Sequence, residues 1–218
     1  MSTTPQPTLT IDQTHALHSA AVRLHGEFDG VFATPTIERF LLTSYDQFAG
    51  RATVANYLPL LAERFARQRL HALERVEGRR NDGKPVVLFL CVHNAGRSQM
   101  ALGFFESITA GTAVGWSGGS EPGEQVNPMA VQVMAERGID ISREYPKPWT
   151  DEIARAADVV ITMGCGDACP IFPGKRYEDW SLDDPAGLDL DGVRRVRDDI
   201  ERRVRRLVDE LELLHVPR

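Results

Sequence analysis

Val86-Val87-Leu88-Phe89-Leu90-Cys91-Val92-His93-Asn94-Ala95-Gly96-Arg97-Ser98, followed by Gln99-Met100-Ala101, is the stretch on which the reading of this chain turns. The uninterrupted apolar run Val86 to Leu90 spells a strand buried on both faces. It delivers Cys91 to a short loop containing Asn94 and Gly96, and Arg97-Ser98 open a helix. A Cys-x5-Arg-Ser spacing between strand and helix gathers a thiol, consecutive backbone N–H groups and a guanidinium around one point. That point suits a tetrahedral oxyanion, because helix N-termini and successive amides bind anions and an arginine fork holds two oxygens. The same positive field favours thiolate over thiol, so Cys91 reads as a nucleophile. Val92, His93, Asn94, Ala95, Gly96, Arg97 and Ser98 read as the oxyanion-binding loop. A core strand that merely ends in a buried cysteine would account for Cys91 but not for Arg97 and Ser98.

The rest of the composition narrows the setting. The chain has 218 residues, 42% hydrophobic and 26% charged, with a formal charge of −6. An acidic balance argues against a general nucleic-acid or membrane-surface binder. No apolar run approaches the roughly 20 residues that span a bilayer. Met1 to Thr8 lacks the basic and apolar segments of a signal peptide, so a cytoplasmic protein is expected. In a reducing compartment the three cysteines, Cys91, Cys165 and Cys169, read as catalytic, redox-active or metal-binding. Cys165 and Cys169 would make half a zinc site, but no second Cys/His pair has ligand spacing, so neither a metal nor a bound cofactor is expected.

Working outward, two regions differ in character. Residues 1–80 predict an all-α three-helix bundle and linker. Leu17, Ala21, Leu24 and Phe28 mark one helical face. Thr36 is placed to cap a second helix carrying Ile37, Phe40, Leu41, Tyr45 and Phe48. Val54, Leu58, Leu61 and Phe65 begin a third, which tolerates Pro59 only in its first turn. Residues 81–218 alternate strand and helix: strands near 86–90, 113–117, 158–163 and 176–180, helices near 97–109, 128–137, 147–156 and 193–214. This alternation predicts a four-stranded parallel sheet with helices on both faces. Ligands in such folds bind at the carboxyl ends of strands. Cys91 follows the first strand and Cys165 the third, so both are expected at one site.

With those features in place, residues 86–214 resemble the low-molecular-weight protein tyrosine phosphatase family, and within it the thioredoxin-coupled arsenate reductases. Cys91-x5-Arg97-Ser98, Asp183-Asp184-Pro185 and the cysteine pair between them carry the resemblance. The leading bundle resembles the extra N-terminal bundle of some actinobacterial arsenate reductases. The resemblance implies that Cys91 attacks arsenate, Arg97 and the loop amides hold it, Ser98 stabilises the thiolate, and Asp184 acts as general acid. It further implies a Cys91–Cys165 disulfide passed on as Cys165–Cys169, recycled by thioredoxin and indirectly by NADPH through thioredoxin reductase. Phosphate and sulfate would compete with arsenate. The pair here is Cys-x3-Cys, tighter than in the best-known three-cysteine members. Some members bind potassium beside the loop; Leu102 stands where their acidic residue is expected, so that ion is not.

Other readings share these residues. A tyrosine phosphatase would need the same loop, but Pro185-Ala186-Gly187 lacks the expected cleft tyrosines and Gln99 replaces a proline. A reductase resolved by a small thiol such as mycothiol or glutathione would not need Cys165. An oxyanion-sensing protein would bind without turnover. The bundle leaves open packing on the catalytic region, homodimerisation or a partner contact.

Overall fold

The computed structural model describes residues 9–50, 57–79, 82–164 and 171–211. The chain divides into two compact units, Met1–Arg80 and Asn81–Arg218.

In the first unit, α1 (Ile11–Glu27), α2 (Thr34–Ala49) and α3 (Leu58–Val76) pack on one another. A capping box starts α1: the Thr10 side chain accepts the Gln13 N–H while the Gln13 side chain accepts the Thr10 N–H. Ala20 is the fully buried alanine of its inner face, whereas the expected Ala21 is half-buried. The expected cap Thr36 instead lies inside α2. The helix opens three residues earlier because Pro35, with its fixed φ and missing N–H, fits the first turn, leaving Ala33 as the extended cap residue. Pro59 does fall in the first turn of α3. Val54 lies outside the described residues. Facing the other helices from α3, buried Glu63 accepts a two-pronged hydrogen bond from Arg23 and another from Arg67. Those bonds, Arg23 first, hold its carboxyl below the usual range.

The second unit contains β1 (Val86–Cys91), α4 (Arg97–Thr109), β2 (Val114–Gly119), α5 (Pro128–Ala135), α6 (Asp151–Ala156), β3 (Val159–Met163), β4 (Arg176–Asp179) and α7 (Leu190–Glu210). Its sheet is parallel throughout, in the order β2-β1-β3-β4. Central β1 is buried along its whole length, as its unbroken apolar run requires. Val87, Phe89 and Cys91 share a core with α4, α5 and α7, where Phe89 meets Phe105 and Trp180. Along α7 the stripe Val193, Val196, Ile200, Val204 and Leu207 is buried. The helix begins at Leu190, earlier than Val193, because Asp189 accepts the Gly192 N–H as its cap. Residues 212–214 of the expected helix lie outside the described residues.

The helix expected at 147–156 shrinks to Asp151–Ala156. Pro146 and Pro148 press their preceding residues toward extended backbone. The segment then pairs with the end of β2: Lys147 C=O accepts the Gly119 N–H and Gly119 C=O accepts the Trp149 N–H. β2 itself runs past the expected Ser117 to Gly119 because its ladder with β1 continues through Leu90–Gly118 and Cys91–Gly119. Register sets Cys91 between Gly119 and Met163, at the carboxyl edge of the sheet.

Candidate active site

The loop after β1 is built by turning its carbonyls outward. Val92 C=O accepts the Glu121 N–H at 2.9 Å, His93 C=O the Gly123 N–H at 2.9 Å, and Ala95 C=O the Asn127 N–H at 2.8 Å. Asn94 C=O takes Gln99 Nε2 at 3.0 Å, and Gly96 C=O takes the Met100 N–H of α4 at 2.9 Å. In a trans peptide the N–H of the next residue points opposite to the carbonyl. The amides of residues 93 to 97 are thereby turned toward the concave side, and the Asn94 N–H lies 3.2 Å from Cys91 Sγ. The outer wall, residues 119–127, fits closely: a Cβ on Gly119 would sit 2.6 Å from the Val92 carbonyl oxygen.

Cys91 Sγ lies 3.0 Å from Ser98 Oγ. Ser98 Oγ accepts Asn94 Nδ2 at 2.8 Å, so its own hydrogen is available to donate to the sulfur. Cys91 Sγ thus has two donors within reach, the Asn94 N–H and the Ser98 hydroxyl. Asn94 is the hub of the loop. It holds a left-handed φ of 47°, its side chain oxygen accepts the Lys147 N–H at 2.9 Å and Gln99 Nε2 at 3.2 Å, and it is fully buried. Asparagine tolerates that backbone region better than most residues.

Arg97, the first residue of α4, is nearly buried and donates through Nη2 to Asp184 Oδ2 at 2.9 Å. Asp184 is brought there by the next residue. Pro185 lies so close to Gly96 that a Cβ on Gly96 would stand 2.7 Å from its Cγ. From the other side comes the end of β3. Gly164 has φ +81°, and a Cβ there would lie 3.1 Å from Arg97 Nη1. The structure thus gathers Cys91, Asn94, Arg97, Ser98 and Asp184 of the expected set. Cys165 and Cys169 lie outside the described residues. His93 is exposed and its Nδ1 meets the Glu121 carbonyl at 3.0 Å, on the outer rim. Gln99, with three acceptors on one amide nitrogen including Tyr145 C=O at 3.1 Å, and Lys147 are structural partners that sequence reasoning missed. A glutamine in the buried face of an otherwise apolar helix was the available signal. No cluster of three or more potential metal-ligating side chains occurs among the described residues.

A thiol in an amide-lined loop, with an arginine at the helix start and an aspartate facing it, equips the site to hold a tetrahedral oxyanion and attack its central atom. The sequence model of the low molecular weight phosphotyrosine protein phosphatases matches residues 86–214. The chain belongs to this family. A second model, a protein-tyrosine-phosphatase-like N-terminal domain, matches residues 17–74.

Among relatives of this phosphatase-family chain is a putative arsenate reductase of Halobacterium salinarum, 39% identical over 127 residues, or 56% of this chain and 89% of that protein. Arsenate reductase 1 of Staphylococcus epidermidis is 41% identical over 122 residues, 54% of this chain and 91% of that protein. The likeness to a solved thioredoxin-dependent arsenate reductase of Corynebacterium glutamicum extends through both units. That match has a TM-score of 0.82 at 41% identity and covers 92% of this chain and 98% of the other.

Proposed function

We propose that this chain is a thioredoxin-dependent arsenate reductase, with Cys91 as the nucleophile. The observation that carries the reading is the Cys91 sulfur seated between the Asn94 N–H and the Ser98 hydroxyl at the mouth of an amide-lined loop. The Corynebacterium relative, similar over nearly its whole length, supports arsenate over a phosphate ester as the oxyanion reduced or cleaved.

In the proposed reaction the Cys91 thiolate attacks the arsenic of arsenate held by the loop amides and Arg97. An As–O bond breaks and Asp184 supplies the proton with which that oxygen leaves as water. Arg97 has more donors than its bond to Asp184 uses, so it can hold the ion while staying close to the acid. Cys165 then attacks the Cys91 sulfur. The S–As electron pair passes to arsenic, arsenite leaves, and a Cys91–Cys165 disulfide remains. Cys169 attacks Cys165, restoring the Cys91 thiolate and leaving Cys165–Cys169 for a thioredoxin dithiol to reduce. NADPH enters only through thioredoxin reductase, phosphate and sulfate compete at the loop, and the setting is the cytoplasm. No described helix is long and apolar enough to cross a membrane. The domain plan in this reading is a bundle over 1–80 and a catalytic domain over 81–218, with the bundle offered for self-association or a partner contact.

Mass spectrometry after one arsenate equivalent, without external thiol, tests the order of steps. The parent should carry Cys165–Cys169, and Cys169→Ser should accumulate Cys91–Cys165. No protein disulfide under these conditions, with arsenite formed only once a small thiol is added, would overturn the relay and favour resolution by a small thiol.

A further inference from the structure

Behind the loop lies a charge that the proposed reaction does not use. Lys147 is 3% exposed, and its ammonium stands 4.8 Å from the Tyr145 ring centroid. Nζ donates to Ser117 Oγ at 3.3 Å and lies 3.7 Å from a Glu144 carboxylate oxygen. Ser117 stands on β2 two residues before Gly119, the register partner of Cys91. The backbone of the same lysine grips the site twice: its N–H donates to Asn94 Oδ1 at 2.9 Å, and its C=O accepts the Gly119 N–H at 2.9 Å. Its field reaches farther still. Burial, then Glu144, push the Glu106 carboxyl upward, and Lys147 opposes them. An interior ammonium is costly, and a neutral side chain of similar volume would fill the space at lower cost.

We propose that Lys147 is a positioning residue of the oxyanion site. Its ammonium, moored to Ser117 and Glu144, fixes residue 147 so that its backbone N–H keeps Asn94 in the left-handed conformation that aims the Asn94 N–H at Cys91 Sγ. It also sets a positive charge behind the thiolate and the bound anion. This rests on the reading of the Cys91 loop as an oxyanion site, but not on arsenate turnover, so the two fail in different assays.

The test uses the full chain with Cys165→Ser and Cys169→Ser, which leaves Cys91 as its sole thiol. The readouts are the iodoacetamide alkylation rate at pH 6 and the inorganic phosphate concentration that half-protects Cys91. Adding Lys147→Met should slow alkylation about threefold to tenfold and raise the protecting phosphate by a similar factor, as for one charge lost through a protein-like dielectric. Lys147→Arg, which keeps the charge, should stay within about twofold of the parent on the same scale. A folded Lys147→Met that matches the parent in both readouts overturns the proposal. So does a folded Lys147→Arg as impaired as Lys147→Met, because shape rather than charge would then govern. Should Lys147→Met not fold, Ser117→Ala decides: removing the ammonium's hydroxyl partner should slow alkylation, and a parent-like rate overturns the proposal.

Discussion

Replacing Asn94 by glycine and by alanine separates two contributions that hold the catalytic loop. Asn94 is fully buried; its Oδ1 accepts the Lys147 N–H at 2.9 Å, its Nδ2 donates to Ser98 at 2.8 Å, and its φ is 47°. Glycine adopts that φ freely, so Asn94→Gly removes the side-chain bonds alone. The Lys147 N–H then lacks its acceptor in a buried place, which costs about 1–3 kcal/mol. Gln99 Nε2 keeps Asn94 C=O and Tyr145 C=O and adds little to that loss. Alanine loses the same bonds and also pays about 1–2 kcal/mol for the left-handed backbone. Glycine's greater freedom in the unfolded chain offsets about 0.5–1 kcal/mol of that difference. Asn94→Ala should therefore be less stable than Asn94→Gly by up to about 1.5 kcal/mol, and both less stable than the parent. The assay is urea unfolding followed by tryptophan fluorescence. Trp116, Trp149 and Trp180, the chain's three tryptophans, all lie in the Asn81–Arg218 unit, so the signal reports the unit that holds the loop. Two variants within error of the parent, or alanine more stable than glycine, would refute the hub assigned to Asn94.

Three further outcomes follow from the same geometry. Gly164→Ala should raise the KM for arsenate, by on the order of tenfold if it takes about 1.4 kcal/mol from the hold of Arg97 on the ion. Gly174→Ala, at nearly the same φ of +80° with nothing within 4 Å, should leave KM unchanged, and equal effects from the two would dismiss the contact with Arg97. Arg97→Lys gives up the planar fork, so kcat/KM should fall about 100-fold or more, and a loss under about threefold would show that the guanidinium is not the anion clamp. Glu136 is held at about 2, first by its hydrogen bond to Arg194 and then by Arg197. Its folded value lies below its ordinary one of 4.5, so its contribution to stability is present above that pH and is lost as pH falls toward about 2. Urea midpoints at pH 6 and pH 3 should thus differ less in Glu136→Gln than in the parent, and an unchanged difference would contradict the ion-pair reading.

The catalytic strand and loop were legible because their signals are local. Val86 to Leu90 could only be a doubly buried strand, and Cys91, Arg97 and Ser98 are brought together by one turn of chain. The partners that shape the loop come from far along the sequence: Glu121 and Gly123 on the outer carbonyls, Lys147 on Asn94. Nothing in the local pattern around residue 147 announces that its backbone pairs with Gly119, and Pro146 and Pro148 prevent the helix expected to begin there. In the bundle, Thr36 offered a plausible cap, yet Pro35 one residue earlier set the start of α2. Periodicity located the buried face of α1 but not which of two adjacent alanines, Ala20 or Ala21, is the one wholly enclosed. Asp184 was named through the family resemblance, whereas its ion pair with Arg97 depends on Pro185 resting against Gly96, a contact only the fold reveals.

The measurement that bears most directly on the account is arsenate-dependent NADPH oxidation by the full chain with thioredoxin and thioredoxin reductase, with Cys165→Ser run in parallel. The account predicts steady turnover by the parent and none by the variant. Equal turnover by both would remove Cys165 from the reaction. Absence of turnover in either, with both cleaving an aryl phosphate, would make the loop a phosphatase site and contradict the reductase reading.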